Sequence, residues 1–229
     1  MPNNYAKYID HSLLHPTSTE KQVVDLCNEA IKWNVAAVCV KPDSVKLASE
    51  LLKNTGIQIA TVIGFPHGSN TTETKSFEAK NAILNGATEL DIVVNISKVC
   101  DENWVYVSKE INELCTICKQ NKISIKVIFE TAYISKNQIV ELCKICSNAN
   151  VDFVKTSTGF DFIKNEMGTF TTLGAQIEDI ILMKQNIANH IKIKASGGIR
   201  TSKDFLKFIE LGVSRIGTSA TNNILSELS

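Results

Sequence analysis

No stretch of this chain is long and apolar enough to cross a membrane: a spanning helix needs roughly 18 or more consecutive apolar residues, and the apolar runs here stop at four to six. Charge of one sign is also lacking. Lys plus Arg and Asp plus Glu both number 24, so no global basic field exists to draw in nucleic acid or an anionic membrane, although a local positive site is allowed. The opening residues, Met1-Pro2-Asn3-Asn4-Tyr5-Ala6-Lys7, carry no apolar core of the kind a secretory leader needs, and a cytoplasmic protein is expected. Seven cysteines, an odd number, are scattered through expected helices and strands rather than spaced as the disulfide framework of a small secreted domain. Reduced thiols follow. Long linkers, low-complexity tracts and charge blocks are absent as well, and no G-x-G-x-x-G follows the first expected strand, which argues against a dinucleotide-binding fold.

What is present is a regular rhythm. Hydrophobic residues make up 44% and charged residues 21% of 229 positions, enough apolar material to fill the core of one sizeable domain. Short apolar runs predict strands near 8–10, 36–40, 57–63, 89–94, 123–129, 151–155, 191–195 and 215–217. Amphipathic segments between them predict helices near 18–33, 43–53, 72–85, 104–120, 136–148, 172–186 and 201–210. Runs such as Ile92-Val93-Val94 are apolar on both faces, as parallel strands covered by helices must be. Eight such units spread over residues 1–229 predict an α/β fold, a single-domain (β/α)8 TIM barrel, with an open doubly wound sheet as the alternative.

In a barrel, catalysis belongs at the C-terminal ends of the strands, where the βα loops converge. Period-two alternation places Asp91, Val93 and Asn95 on one face of the fourth strand, and Lys126, Ile128 and Glu130 on one face of the fifth. The sixth and seventh strands end in Lys155 and Lys194. A single lysine at a strand end is as readily a snorkelling or salt-bridged residue as a functional one, but two on neighbouring strands have a chemical reading. A second ammonium nearby, with partial desolvation, favours the neutral amine and makes a nucleophile near neutral pH. Asp91 could accept from one of them. After the sixth, seventh and eighth strands come Gly159, the pair Gly197-Gly198, and Gly217-Thr218-Ser219. One such turn is ordinary; several together suit phosphate bound by main-chain amides.

These residues also carry a resemblance. Val154-Lys155-Thr156-Ser157-Thr158-Gly159-Phe160 resembles the Schiff-base segment of the deoxyribose-phosphate aldolases. Asp10-His11-Ser12-Leu13-Leu14 is similar to that family's first strand, Thr61-Val62-Ile63-Gly64-Phe65-Pro66-His67-Gly68 to its third, Gly86-Ala87-Thr88-Glu89-Leu90-Asp91 to its fourth, and Lys194-Ala195-Ser196-Gly197-Gly198-Ile199-Arg200 to its seventh. The resemblance implies a class I aldolase of deoxyribose phosphate catabolism on a β/α barrel. It would cleave 2-deoxy-D-ribose 5-phosphate reversibly to acetaldehyde and D-glyceraldehyde 3-phosphate, without metal or cofactor. Lys155 matches the imine-forming lysine, Lys194 the lysine that depresses its pKa, and Asp91 the proton-shuttling carboxylate. Gly159, Gly197, Gly198 and Ser219 match phosphate-loop positions. The implied partner is a small sugar phosphate, not nucleic acid or membrane, and a homodimer is left open. Some members end in a tyrosine that aids proton transfer; here no tyrosine follows Tyr133, so that step is not carried over.

Two other chemistries share the sequence. His11-x₃-His15 could begin a metal site, but it lies before Pro16 at a strand end, not along one helix face. Cys115-x₂-Cys118 and Cys143-x₂-Cys146 have the spacing of a four-thiolate zinc site, yet both lie in amphipathic helical segments where cysteine usually serves as a small core residue. Cys39, at the end of the second strand, would be either a reactive thiol beside the cavity or a buried inert one.

Overall fold

The computed structural model describes residues 4–229; the first three residues of the opening segment, Met1–Asn3, lie outside it. Eight parallel strands close into a ring: β1 (Ile9–Leu13), β2 (Ala37–Val40), β3 (Gln58–Ile63), β4 (Glu89–Val93), β5 (Ser124–Ile128), β6 (Phe153–Lys155), β9 (Lys192–Ser196) and β10 (Arg215–Thr218), the last pairing with the first. The open-sheet alternative is thereby removed. The remaining two strands, β7 (Ile163–Lys164) and β8 (Phe170–Thr171), form a small antiparallel hairpin in the loop after β6.

Most of the outer helices begin at a side-chain cap. In α1 (Glu20–Trp33), Thr19 and Gln22 form a reciprocal capping box, and Asn34 ends the helix in the left-handed region at φ 53°. The same device recurs in α6 (Lys136–Ala149), with Ser135 and Gln138 at one end and Asn150 at φ 53° at the other. Helices α2 (Val45–Leu51), α3 (Thr72–Leu84), α5 (Trp104–Gln120), α7 (Ile177–Asn186) and α8 (Ser202–Glu210) complete the expected set. Two helices were not expected: α4 (Ile96–Cys100), capped by Asn95, and α9 (Thr221–Glu227). Helix α7 starts five residues later than the sequence suggests, and the reason is local. Phe170–Thr171 is taken by the hairpin, the Leu173 N–H is turned onto Asp161 at 2.6 Å, and Gly174 adopts φ 60° against Gly197.

The main core lies between barrel and helices. Cys115, Cys118, Cys143 and Cys146 are all buried there, on the facing helices α5 and α6. Burial pushes the thiols of Cys118 and Cys143 up to about 12. Cys115 donates to the Ala149 carbonyl at 3.2 Å. These are packing residues, and among the described residues no group of three or more His, Cys, Asp or Glu side chains is arranged to hold a metal ion. His11 has both ring nitrogens engaged, with Glu29 at 3.0 Å and Thr221 at 2.9 Å. No described helix is long and apolar enough to cross a membrane.

A buried ion pair ties the outer layer to β4. Lys75 of α3 donates to the Val93 carbonyl at 2.8 Å and to Glu110 of α5 at 2.9 Å, while Glu110 accepts from the Asn95 N–H at 3.1 Å. Both ends of this clamp are out of water, which pushes the lysine down and the glutamate up, each toward its neutral form.

Candidate active site

Strand register decides which side chains meet inside the ring. Asp91 on β4 lies opposite Lys126 on β5, and Lys155 on β6 lies opposite Lys194 on β9, which in turn lies opposite Arg215 on β10. Asp91 receives three ammonium groups: its Oδ2 accepts from Lys155 at 2.8 Å and Lys194 at 2.7 Å, and its Oδ1 from Lys126 at 2.8 Å. The cluster continues toward the floor of the barrel. Lys194 and Arg215 both donate to Asp10 of β1, and Glu89 accepts from Lys126 at 2.6 Å and from Arg215 at 3.0 Å.

The charge count of this cluster matters more than any one distance. Four cationic side chains, Lys126, Lys155, Lys194 and Arg215, face three carboxylates, Asp10, Glu89 and Asp91. Net charge in a dry interior is strongly penalised, so one proton is in excess. Burial lowers the pKa of Lys155, Asp91 opposes, and Lys194 adds to the lowering. Lys194 behaves oppositely: burial would lower it, but Asp10 and Asp91 outweigh that and hold it charged. Lys126 is kept protonated by Asp91, Glu89 and Asp10 against the same burial. Burial alone would raise Asp91 and Asp10; the surrounding cations reverse this and keep both ionised. Lys155 is therefore the one cation of the four whose pKa is lowered from its ordinary value. The sequence reading credited the second lysine first, and this is corrected: desolvation leads, with Lys194 contributing less.

Lys155 is also the member of the trio at the cavity surface. It is 2% exposed, whereas Lys194 and Asp91 are 0% exposed beneath it. The cavity above it holds about 330 Å³ and is lined by Lys155, Gly159, Gly197, Gly198, Arg200 and Ser219, with Ser12 and Thr218. All four expected phosphate-loop residues thus share one cavity with Lys155. Gly197 and Gly198 have φ of 91° and 76°, where a side chain is strained, and a Cβ on Gly197 would come within 2.7 Å of the Gly174 backbone. The hydrogen bonds among the described residues leave the N–H groups of Gly159, Gly197 and Gly198 without partners.

The sequence reading grouped Asn95 with Asp91, but its side chain caps α4 by accepting from the Lys98 N–H. Cys39 is fully buried in a small apolar cluster with Ala60 and Val62, and burial pushes its thiol up, the inert reading. Asp10, Glu89, Lys126 and Arg215 were missed as members of the charge cluster. For Asp10 a signal existed: it is an acid at the end of the first expected strand, directly after Tyr8-Ile9.

The sequence pattern of the DeoC/LacD family aldolases matches residues 5–224. A deoxyribose-phosphate aldolase of Caldicellulosiruptor saccharolyticus is 47% identical over 97% of each chain. One from Thermoanaerobacter sp. is 45% identical over 98% of this chain and 96% of its own. Among solved structures, a tetrameric deoxyribose phosphate aldolase from Aeropyrum pernix superimposes with a TM-score of 0.88 at 29% identity, over 99% of this chain and 92% of its own.

Proposed function

The chain belongs to the DeoC/LacD family of aldolases, and from that premise we propose that it cleaves 2-deoxy-D-ribose 5-phosphate reversibly to D-glyceraldehyde 3-phosphate and acetaldehyde, with Lys155 as the imine-forming residue. It is a class I aldolase, a carbon–carbon lyase. The observation that carries the residue assignment is the single Asp91 oxygen shared by Lys155 and Lys194.

Neutral Lys155 attacks C1 of the open-chain sugar, and loss of water leaves an iminium. As the amine adds, one of its protons passes by way of Asp91 Oδ2 to the former carbonyl oxygen. A second proton, given by protonated Lys194 and returned to it when the final iminium is hydrolysed, lets that hydroxyl leave as water. The iminium nitrogen then takes up the electrons of the C2–C3 bond as the proton leaves the C3 hydroxyl. That removal falls to Asp91 through water, aided by Lys194, and general-base help of this kind is worth roughly 10²–10⁴-fold. Glyceraldehyde 3-phosphate departs. The enamine left on Lys155 is protonated at C2, and water hydrolyses the new iminium to acetaldehyde and the free lysine.

The phosphate sits at the far end, against Gly159, Gly197, Gly198 and Ser219, where main-chain N–H groups can approach it closely. Binding there, remote from the bond that breaks, holds C1 over Lys155. The substrate is a small sugar phosphate, the compartment the cytoplasm, and neither nucleic acid nor a membrane takes part. A homodimer is the assembly carried forward, and sedimentation at working concentration checks it. The central experiment is borohydride reduction in the presence of acetaldehyde: an ethyl group on Lys155 is expected, and turnover should survive chelator. Reduction that labels no lysine, or a different one, overturns the assignment.

A further inference from the structure

Glu130 follows β5 and has no task in the reaction above. It is 1% exposed, and its backbone lies in the left-handed region at φ 53° and ψ 63°, unfavourable for a residue with a side chain. Its carboxylate partners all belong to one residue. Both oxygens accept from the Thr158 N–H at 3.2 Å, and Oε2 also accepts from the Thr158 hydroxyl. Burial pushes the Glu130 carboxyl up to about 7, with the bonds from Thr158 opposing, Asp161 adding, and Lys155 acting as a more distant cation that lowers it. A buried carboxylate and a strained backbone are both costly, and both are spent on holding one loop residue.

Thr158 has no donor left for a ligand. Its N–H and O–H go to Glu130, and its hydroxyl oxygen accepts from the Phe160 N–H at 3.0 Å. What it does is frame Gly159, which lies between these bonds at φ 82°, close to Gly197, with its own N–H unused. Phe160 closes the turn by packing edge-on against Phe65 at 5.4 Å.

We propose that Glu130 is a positioning residue for the phosphate end of the substrate: through Thr158 it fixes the turn that presents the Gly159 main chain to the cavity. The ligand class, a phosphorylated aldehyde sugar, rests on the function proposed above. Glu130 touches neither substrate nor Lys155, so its effect is on binding rather than on the bond-breaking step.

The test uses Glu130→Ala, Glu130→Gln and Thr158→Val with three readouts. In Glu130→Ala the KM for deoxyribose 5-phosphate rises ~10-fold or more, as loss of bonds to a charged group implies, while kcat stays within about 3-fold. Borohydride labelling by acetaldehyde, which has no phosphate, stays at the wild-type level. Glu130→Gln, whose amide oxygen still accepts from Thr158, keeps KM within about 3-fold of wild type. Inorganic phosphate raises the Tm of wild type and Glu130→Gln, and loses that effect in Glu130→Ala. Should Glu130→Ala fail to fold, Thr158→Val gives the same KM readout with a smaller rise. An unchanged KM in either variant, or an equal phosphate-induced Tm rise in wild type and Glu130→Ala, overturns the proposal. Failure of the wild-type chain itself to cleave the sugar or be labelled by acetaldehyde strikes at the function, not at Glu130.

Discussion

Lys155 and Lys194 stand opposite each other on β6 and β9 and donate to the same oxygen of Asp91, at 2.8 and 2.7 Å. Two ammonium groups on one carboxylate oxygen, with Lys126 on the other, make the site short of negative charge. Of the three lysines, the one at the cavity surface is the one whose pKa is lowered, which suits the role proposed for it.

Lys194→Met removes a cation that lowers Lys155 and leaves Asp91 more fully available to hold the Lys155 proton. Both changes raise the Lys155 pKa. Because the free amine is the reactive form, activity rises with pH through that pKa, and the acid limb of the kcat/KM profile should move to higher pH, with a loss of ~10²–10⁴-fold at neutral pH. A limb that stays in place would show that Lys194 does not act on Lys155.

Lys155→Ala should abolish borohydride labelling and lower kcat by ~10⁴-fold or more, since no neighbouring amine can take its place. Lys194 and Lys126 are close but are held protonated by their carboxylates. Mass analysis of the reduced variant after exposure to acetaldehyde is the check.

Gly197→Ala places a Cβ within 2.7 Å of the Gly174 backbone at a φ of 91°. The turn must shift, with about 1–3 kcal/mol lost from stability and a raised KM for the phosphorylated sugar. Urea unfolding and steady-state kinetics measure the two effects separately; unchanged values for both would contradict the close packing of these loops.

Lys75→Met strips the cation from the buried pair at the end of β4 and leaves Glu110 unpaired. A cost of about 3–5 kcal/mol is expected. Adding Glu110→Leu to the same chain should recover part of it, because replacing both charges removes the orphan. Denaturant midpoints of the two variants decide this, and a double variant weaker than the single one would count against the pair being a strained compromise.

The sequence carried the barrel clearly because most βα units repeat the same signals: a short apolar run, a cap, and an amphipathic stretch. All eight barrel strands fall within a few residues of where those signals put them. The hairpin β7–β8 was invisible because it consists of two-residue strands, too short for any period to register. Helix α4 is hidden likewise, with only five residues. At the site, Asp91, Lys155 and Lys194 could be read because each ends a strand or interrupts its apolar pattern. Arg215 could not, since its meaning depends on Asp10, which lies 205 residues away and meets it only when the ring closes. The ranking of causes for the Lys155 pKa was illegible for the same reason: depth of burial belongs to the closed barrel, not to any one strand.

Ring closure has a last consequence for the newly made chain. Asp10, on the first strand of the ring, is bound by Lys194 and Arg215, 184 and 205 residues further along the chain. Until the two strands that carry them dock, Lys155 lies open to water and lacks the burial that lowers its pKa. On the mechanism proposed above, reactivity toward aldehydes arrives only when the ring closes, and a fragment lacking β9 and β10 should be chemically silent rather than partly active.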